Sequence, residues 1–317
     1  MDAGKAVTLA TQTGKLPVER RGGFSKKLSG IIEPYLYVSP ALVLIIAVML
    51  MPLILGLSYA FRDIRILNPF SGGFVGMAHF QTLMSDQAFL GALANTAWWT
   101  FGSLVFQFGL GLILALLLNR AFLGRGLIQA LVFLPWAVPT FLSGLNWAWM
   151  FNPVVLPHWM TSLGLMAEPY NILSDPDLAM WGPIIANIWF GIPFFAITML
   201  AALQSIPKEL YEAASIDGAT TRQQFISITL PFLAPTIAIT LMLRTIWIAN
   251  FADLIVVMTK GGPADSTQIV ASYIFTQAFR RLDFGYASAI AAVLLVLLLA
   301  YALSVIALRR AMTHADN

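Results

Sequence analysis

Six stretches of this chain contain no aspartate, glutamate, lysine or arginine: residues 34–61, 87–119, 126–167, 178–207, 223–243 and 284–308. An α-helix needs roughly 20 residues to cross the hydrocarbon core of a bilayer, and each stretch is near or above that length. Inside lipid the backbone polar groups have to be satisfied within the segment itself, so such runs fold as spanning helices. Of the 317 residues, 59% are hydrophobic and only 10% charged, against about 25% charged in a soluble domain. The fold class that remains is all-α integral membrane. The absence of cysteine excludes disulfides and thiolate metal sites.

Six spans are expected, at about 36–60, 94–118, 128–151, 180–203, 232–258 and 286–308. They form a membrane domain of residues 34–310, flanked by tails 1–33 and 311–317. Residues 1–30 hold no short apolar stretch followed by a cleavage site, so they read as a tail and not as a signal peptide. Six crossings put both termini on one face. That face carries Lys5, Lys15, Arg20, Arg21, Lys26, Lys27, Arg120, Arg125, Lys208, Arg222, Arg309 and Arg310. The opposite face carries Arg62, Arg65, Lys260, Arg280 and Arg281. Because basic loops stay inside, the larger set marks the cytoplasm and both termini are expected there. Turn-forming stretches such as "NPFSGG" (68–73) and "KGGPADS" (260–266) then cap the outer face.

Between the fourth and fifth spans lies "PKELYEAASIDGA" (207–219), a polar island in an apolar chain. Pro207 suits a first helical turn, where its missing N–H costs nothing. Gly218 suits the left-handed position past a helix end. The expected helix has about 11 residues and a length of roughly 16 Å, too short to span. Glu209 and Glu212 near its N-terminal end favour the helix dipole and offer carboxylates to a cationic partner. Ala213 and Ala214 leave a face without bulk, on which a second surface can close. By composition alone this is a solvated loop helix.

The spelling of the wider segment, "ELYEAASIDGATTRQQFISITLP", resembles the "EAA" signature of permease subunits of ABC importers. Glu212, Ala213, Ala214, Asp217, Gly218, Ala219, Phe225, Leu230 and Pro231 occupy the matching positions. The segments 171–207 and 243–279 resemble the carbohydrate permeases of the maltose and glycerol-phosphate branch, and 34–61 resembles that branch's first subunit. The stretch "FNPVVLPHWMTSLG" departs from that pattern, lacking a Gly and an Asn after the Asn-Pro. The resemblance implies a six-helix type I permease whose loop 204–225 carries a cytoplasmic coupling helix. Glu209, Glu212, Ala213, Ala214, Asp217, Gly218 and Ala219 would then meet an ATPase.

No G-x-x-x-x-G-K-[ST] phosphate loop occurs, and His79, His158 and His314 are isolated. Neither a catalytic nor a metal site is expected, and no cofactor on this chain; ATP and magnesium would sit on partner subunits. The partners implied by the resemblance are a second homologous permease, two ATP-binding cassette subunits and an extracytoplasmic solute-binding protein. The substrate would be a sugar or a related polyol, the location a bacterial inner membrane, and no nucleic acid is involved. The competing class is an ion-gradient-driven secondary transporter. It would need intramembrane carboxylates and usually inverted repeats; only Asp253 offers the first and no repeat is visible.

Polar residues inside spans are costly and mark candidate sites. Asn187, Gly191, Phe194 and Thr198 fall on one helical face. Phe190 and Phe194 suit stacking on sugar C–H faces, and Asn187 a hydroxyl. The resemblance places Asn187, Phe190, Gly191 and Phe194 at the sugar site, although Asn and Gly are equally good interhelical packing residues. Trp247, Asn250 and Asp253 share a sector of about 120°, and Asn250 and Asp253 match a sugar-facing stretch of the resembled branch. Arg244 reads as a structural ion pair or a donor to carbonyls, with selection of an anionic sugar as the other reading. Trp136, Trp147, Trp149 and Trp159 read as an interfacial belt and helix packing more than as a sugar platform.

Overall fold

The computed structural model describes residues 23–315, and the expected tail ends 1–22 and 316–317 lie outside them. Two compact units divide between Leu55 and Gly56. In the first, helix α1 (Gly23–Ile45) continues through a π-helical turn (Ile46–Leu50) into α2 (Met51–Tyr59), within which the boundary falls. Helix thus begins at Gly23, inside the stretch read as a tail.

The second unit carries the short α3 (Ala78–Ser85) and then α4 (Gln87–Leu118), the full second apolar run. Asp86 starts α4 by accepting hydrogen bonds from the backbone N–H of Ala88 (2.9 Å) and Phe89 (3.3 Å). The third run does not form one straight span. Helices α5 (Arg125–Ala137) and α6 (Thr140–Met150) meet at 96°. The break is local chemistry: Pro139 bars the helical region to the residue before it, and Val138 is extended at φ −96°, ψ 124°. A short α7 (Leu156–Ser162) leads to α8 (Trp181–Gln204), the fourth span.

The loop helix α9 (Lys208–Ile216) and a single turn α10 (Thr221–Gln224) come next. A π-helical turn (Phe225–Thr229) joins α10 to α11 (Leu230–Ala249). The fifth span, expected at 232–258, therefore starts some ten residues early as helix and is interrupted at Asn250–Ala252 before α12 (Asp253–Met258). Two side chains stabilise this break by occupying carbonyls near the end of α11. Asn250 donates to the Ile246 carbonyl (2.9 Å) and the indole of Trp99 to that of Ile248 (2.8 Å). Helices α13 (Val270–Phe275) and α14 (Phe284–Ala315) complete the unit. Among the described residues there are five helices long and apolar enough to span, or six with the bent α5–α6 pair counted once.

Helices α4 and α8 form the most extensive contact of the fold. They approach closely because small residues face the partner, the usual device where lipid removes any hydrophobic drive between helices. At Gly111 a Cβ would overlap the Phe195 side chain. Trp99, Ile184, Ile248, Leu254, Ile255 and Ile269 form a buried cluster that seats the broken end of α11 against this pair. The connection 260–270 is held down as well: Asn95 donates to the carbonyl of Gln268 (3.0 Å) and Thr96 accepts from Val270 N (2.9 Å).

Candidate functional site

Two arrangements in the second unit carry chemistry, one inside the bundle and one on the loop after α8. The first is a cavity of about 560 Å³ between α5, α6, α8 and the end of α11. Trp136, Thr140, Asn187, Phe190, Arg244, Trp247, Asn250 and Phe251 contribute to its lining. Aromatic rings supply part of its walls: Phe190 stacks on Phe251 with centroids 5.7 Å apart at 17°, and Trp247 leans on Phe194 at 5.4 Å. Aromatic faces flanked by a few fixed polar groups are what a polyhydroxylated solute needs.

Of the seven candidate substrate residues, Asn187, Phe190, Trp247 and Asn250 line this cavity. The other three are not part of its lining. Phe194 supports Trp247 and lies 5.9 Å from the Arg244 guanidinium. Asp253 accepts from the Thr140 hydroxyl (3.0 Å), joining α6 to α12. Gly191 provides room, since a Cβ there would overlap the side-chain amide of Gln107. Thr198, placed on the same face by periodicity, bonds back to the Phe194 carbonyl (2.8 Å) within its own helix.

Gln107 is fully buried and organises the polar part of the wall. Its Nε2 donates to the backbone carbonyl of Asn187 (2.8 Å), and its Oε1 accepts from Arg244 Nε (2.8 Å). Of the two structural readings of Arg244, the bond to a carbonyl holds, supplied by the Gln107 side-chain amide, and no ion pair forms among the described residues. Asn187 is fully buried, and both polar atoms of its side chain lack a hydrogen-bond partner among the described residues. A buried unsatisfied amide is costly, which points to a group supplied from outside the chain. On the other side of α8, the Trp136 indole donates to the Phe190 carbonyl (3.0 Å). Trp136 therefore contributes to the cavity wall. Trp147 packs on Phe151 and Trp189, while Trp149 and Trp159 are exposed.

The second arrangement is the loop 204–225. Helix α9 has nine residues, and Pro207 stands at its N-cap, one position before the helix proper. Its end is a Schellman motif: Gly218 is left-handed at φ 79°, Gly218 N–H bonds Ser215 O (3.1 Å) and Ala219 N–H bonds Ala214 O (2.9 Å). Thr220 then opens α10 with a reciprocal capping box to Gln223. Two side-chain bonds fasten α9 to α10 and to the π-helical turn beyond it: Gln224 Nε2 to Ser215 Oγ (2.9 Å) and Tyr211 OH to Thr229 Oγ1 (2.9 Å). Glu209, Glu212, Ala213, Asp217 and Gly218 are exposed, and Ala214 and Ala219 are half-buried.

Comparison with known proteins agrees with this architecture. The family model described as "Binding-protein-dependent transport system inner membrane component" matches residues 107–314. The chain is 36% identical over 270 residues to a trehalose/maltose transport system permease protein of Thermococcus litoralis, covering 84% of this chain and 90% of that one. It is 32% identical over 274 residues to an sn-glycerol-3-phosphate transport system permease protein of Agrobacterium fabrum, covering 85% and 92%. Among solved structures, a chain of a bacterial ABC transporter involved in importing the acidic polysaccharide alginate superposes with a TM-score of 0.79 at 26% identity. That match covers 90% of this chain and 99% of the other. The chain belongs to the family of inner-membrane permease components of binding-protein-dependent transport systems.

Proposed function

We propose that this chain is one of two permease halves of an ATP-driven importer for a sugar or sugar derivative. Its cavity would form part of the translocation path, and α9 would be the handle gripped by an ATP-binding cassette subunit. The observation that carries the reading is a continuous mechanical path. The coupling loop is bonded to the start of a helical stretch that runs from Thr221 to Ala249 with no break, and the far end of that stretch frames the cavity. A push on α9 is therefore delivered to Arg244, Trp247 and Asn250. Closure of the ATPase subunits on ATP would move this helix and rock the cavity wall between inward-open and outward-open states.

A sugar substrate is supported by the aromatic and amide lining, and by relatives named for trehalose/maltose and glycerol-phosphate systems. ATP and magnesium would sit on the partner subunits, and an extracytoplasmic binding protein would deliver the solute. The distribution of basic residues supports a cytoplasmic location for both termini and for α9. The test is a pair of variants in the assembled complex. Glu212→Lys is expected to abolish uptake and ATPase stimulation while membrane insertion stays intact. Asn187→Ala is expected to weaken transport more than assembly, and equal loss of both would return Asn187 to a packing role.

A further inference from the structure

We infer that Arg244, oriented by Gln107, is a substrate-contacting residue of the cavity, donating from its guanidinium edge to two neighbouring oxygens of the solute. Gln107 is the positioning residue in this arrangement. The inference rests on the import reading above and narrows its substrate chemistry. Its basis is the way the two side chains share their bonds. Both ends of the Gln107 amide are used by protein, one on the Asn187 carbonyl and the other on Arg244 Nε. The Nε contact is the only hydrogen bond of the Arg244 side chain among the described residues, and no carboxylate lies within ion-pair distance of it there. Arg244 is nevertheless 6% exposed and contributes to the cavity lining.

A guanidinium in the interior of a membrane bundle is expensive and is normally matched by an acid or by carbonyls. Here its hydrogen bond is to one neutral amide, which fixes its plane through Nε and leaves the terminal nitrogens for whatever occupies the cavity, and the Phe194 ring lies 5.9 Å away. Asn187, whose buried amide has no partner among the described residues, contributes to the same lining. A planar fork of donors matches two adjacent acceptor oxygens, either the vicinal hydroxyls of a pyranose or the carboxylate of a uronate. Steric evidence supports a built arrangement: Gly191 leaves the space in which the Gln107 amide reaches both partners, since a Cβ there would overlap it.

The experiment uses the complete complex in proteoliposomes, with its ATPase subunits and solute-binding protein. The probes are a panel of radiolabelled neutral and uronate mono- and disaccharides. Uptake and ATP hydrolysis are measured together at saturating binding protein. Arg244→Gln is expected to lower sugar moved per ATP by about tenfold, the scale of one charged hydrogen bond, with stimulated hydrolysis kept within about twofold. Gln107→Leu should shift the same ratio in the same direction, and Arg244→Lys should not restore it, because an ammonium lacks the planar edge. A loss for all sugars identifies hydroxyls as the acceptors, and a loss confined to uronates identifies the carboxylate. If uptake and hydrolysis fall together, or lysine restores wild-type coupling, the inference is overturned while the import reading stands. If the wild-type complex moves no member of the panel, the sugar reading itself fails and takes the inference with it.

Discussion

Gly191→Ala adds one methyl group in the middle of the fourth span, and the structure says where it lands. The new Cβ would overlap the Gln107 side-chain amide, which is fully buried between α4 and α8. Gln107 has to swing away and gives up two bonds of 2.8 Å, to Asn187 O and from Arg244 Nε. Overpacking of this kind costs about 1–3 kcal/mol. The neutral bond adds about 1 kcal/mol and the charged one about 1.5–3 kcal/mol. Helix propensity returns about 1 kcal/mol on replacing glycine, and cavity water recovers part of the Arg244 interaction. A net loss of about 2–4 kcal/mol is expected. The assay is the thermal midpoint of the purified complex, followed by size-exclusion chromatography, with Gly109→Ala as control. A Cβ at Gly109 meets nothing within 4 Å, so the control is expected at or slightly above wild type. Gly191→Ala/Gln107→Ala should recover part of the loss, because the clash disappears with the amide. Equal midpoints for Gly191→Ala and Gly109→Ala would refute the close approach.

Other perturbations test separate parts of the fold and the site. Asp86 caps α4 and also accepts from Tyr273 OH (2.7 Å) and Tyr286 OH (2.5 Å), tying α4, α13 and α14 together. Burial pushes its carboxyl up, but the bonds from Tyr286, Tyr273 and the Phe89 and Ala88 N–H groups outweigh this and hold it below its ordinary value of 3.8. A depressed folded-state value means that the carboxylate stabilises the fold above pH 3.8 and that this contribution is lost as pH falls further. Asp86→Asn should flatten the acid limb of a stability–pH curve, and an unchanged limb would remove the assignment. Gly218→Val places a β-branched residue at φ 79°, at a cost of about 1–2 kcal/mol. It is expected to uncouple ATP hydrolysis from uptake with the spans still inserted, and tightly coupled transport would show that the loop tolerates a different end to α9. Trp136→Phe keeps the ring but removes the donor to the Phe190 carbonyl; it should slow uptake several-fold without affecting assembly, whereas wild-type uptake would reduce that bond to packing.

The spans were legible because lipid imposes a single solution on a charge-free run of this length. The breaks were less so. Pro139 was a visible signal for the bend at Val138, but hydropathy alone carried the third span straight through it. At Asn250 the interruption depends on Trp99, 149 residues before Ile248 in sequence, donating to the Ile248 carbonyl, and no local pattern encodes that. On the loop, Gly218 marked the helix end correctly because a left-handed position is a local demand. The start at Lys208 instead of Pro207 shifts the helix by one residue, since the proline takes the extended N-cap geometry at ψ 132°.

For the cavity, helical periodicity found Asn187 but also chose Thr198, whose hydroxyl is satisfied within its own helix; Phe190 came from its suitability for stacking and from the resemblance. Gln107 was missed although the signal was available: it is a long polar side chain in the middle of an apolar run, which is the rule that selected Asn187. Trp136 was missed for the opposite reason. Tryptophans are common at the membrane interface, and the contact of this one with the Phe190 carbonyl, 54 residues away, has no local signal.

The central claim is that motion originates in ATP hydrolysis on a partner and enters this chain through α9. The most direct measurement is solute accumulation by proteoliposomes holding the full complex, driven in turn by ATP and by an imposed proton or sodium gradient. Accumulation should require ATP and the solute-binding protein, persist when ionophores collapse both gradients, and vanish in Glu212→Lys. Accumulation driven by an ion gradient without ATP, and untouched by Glu212→Lys, would contradict the claim.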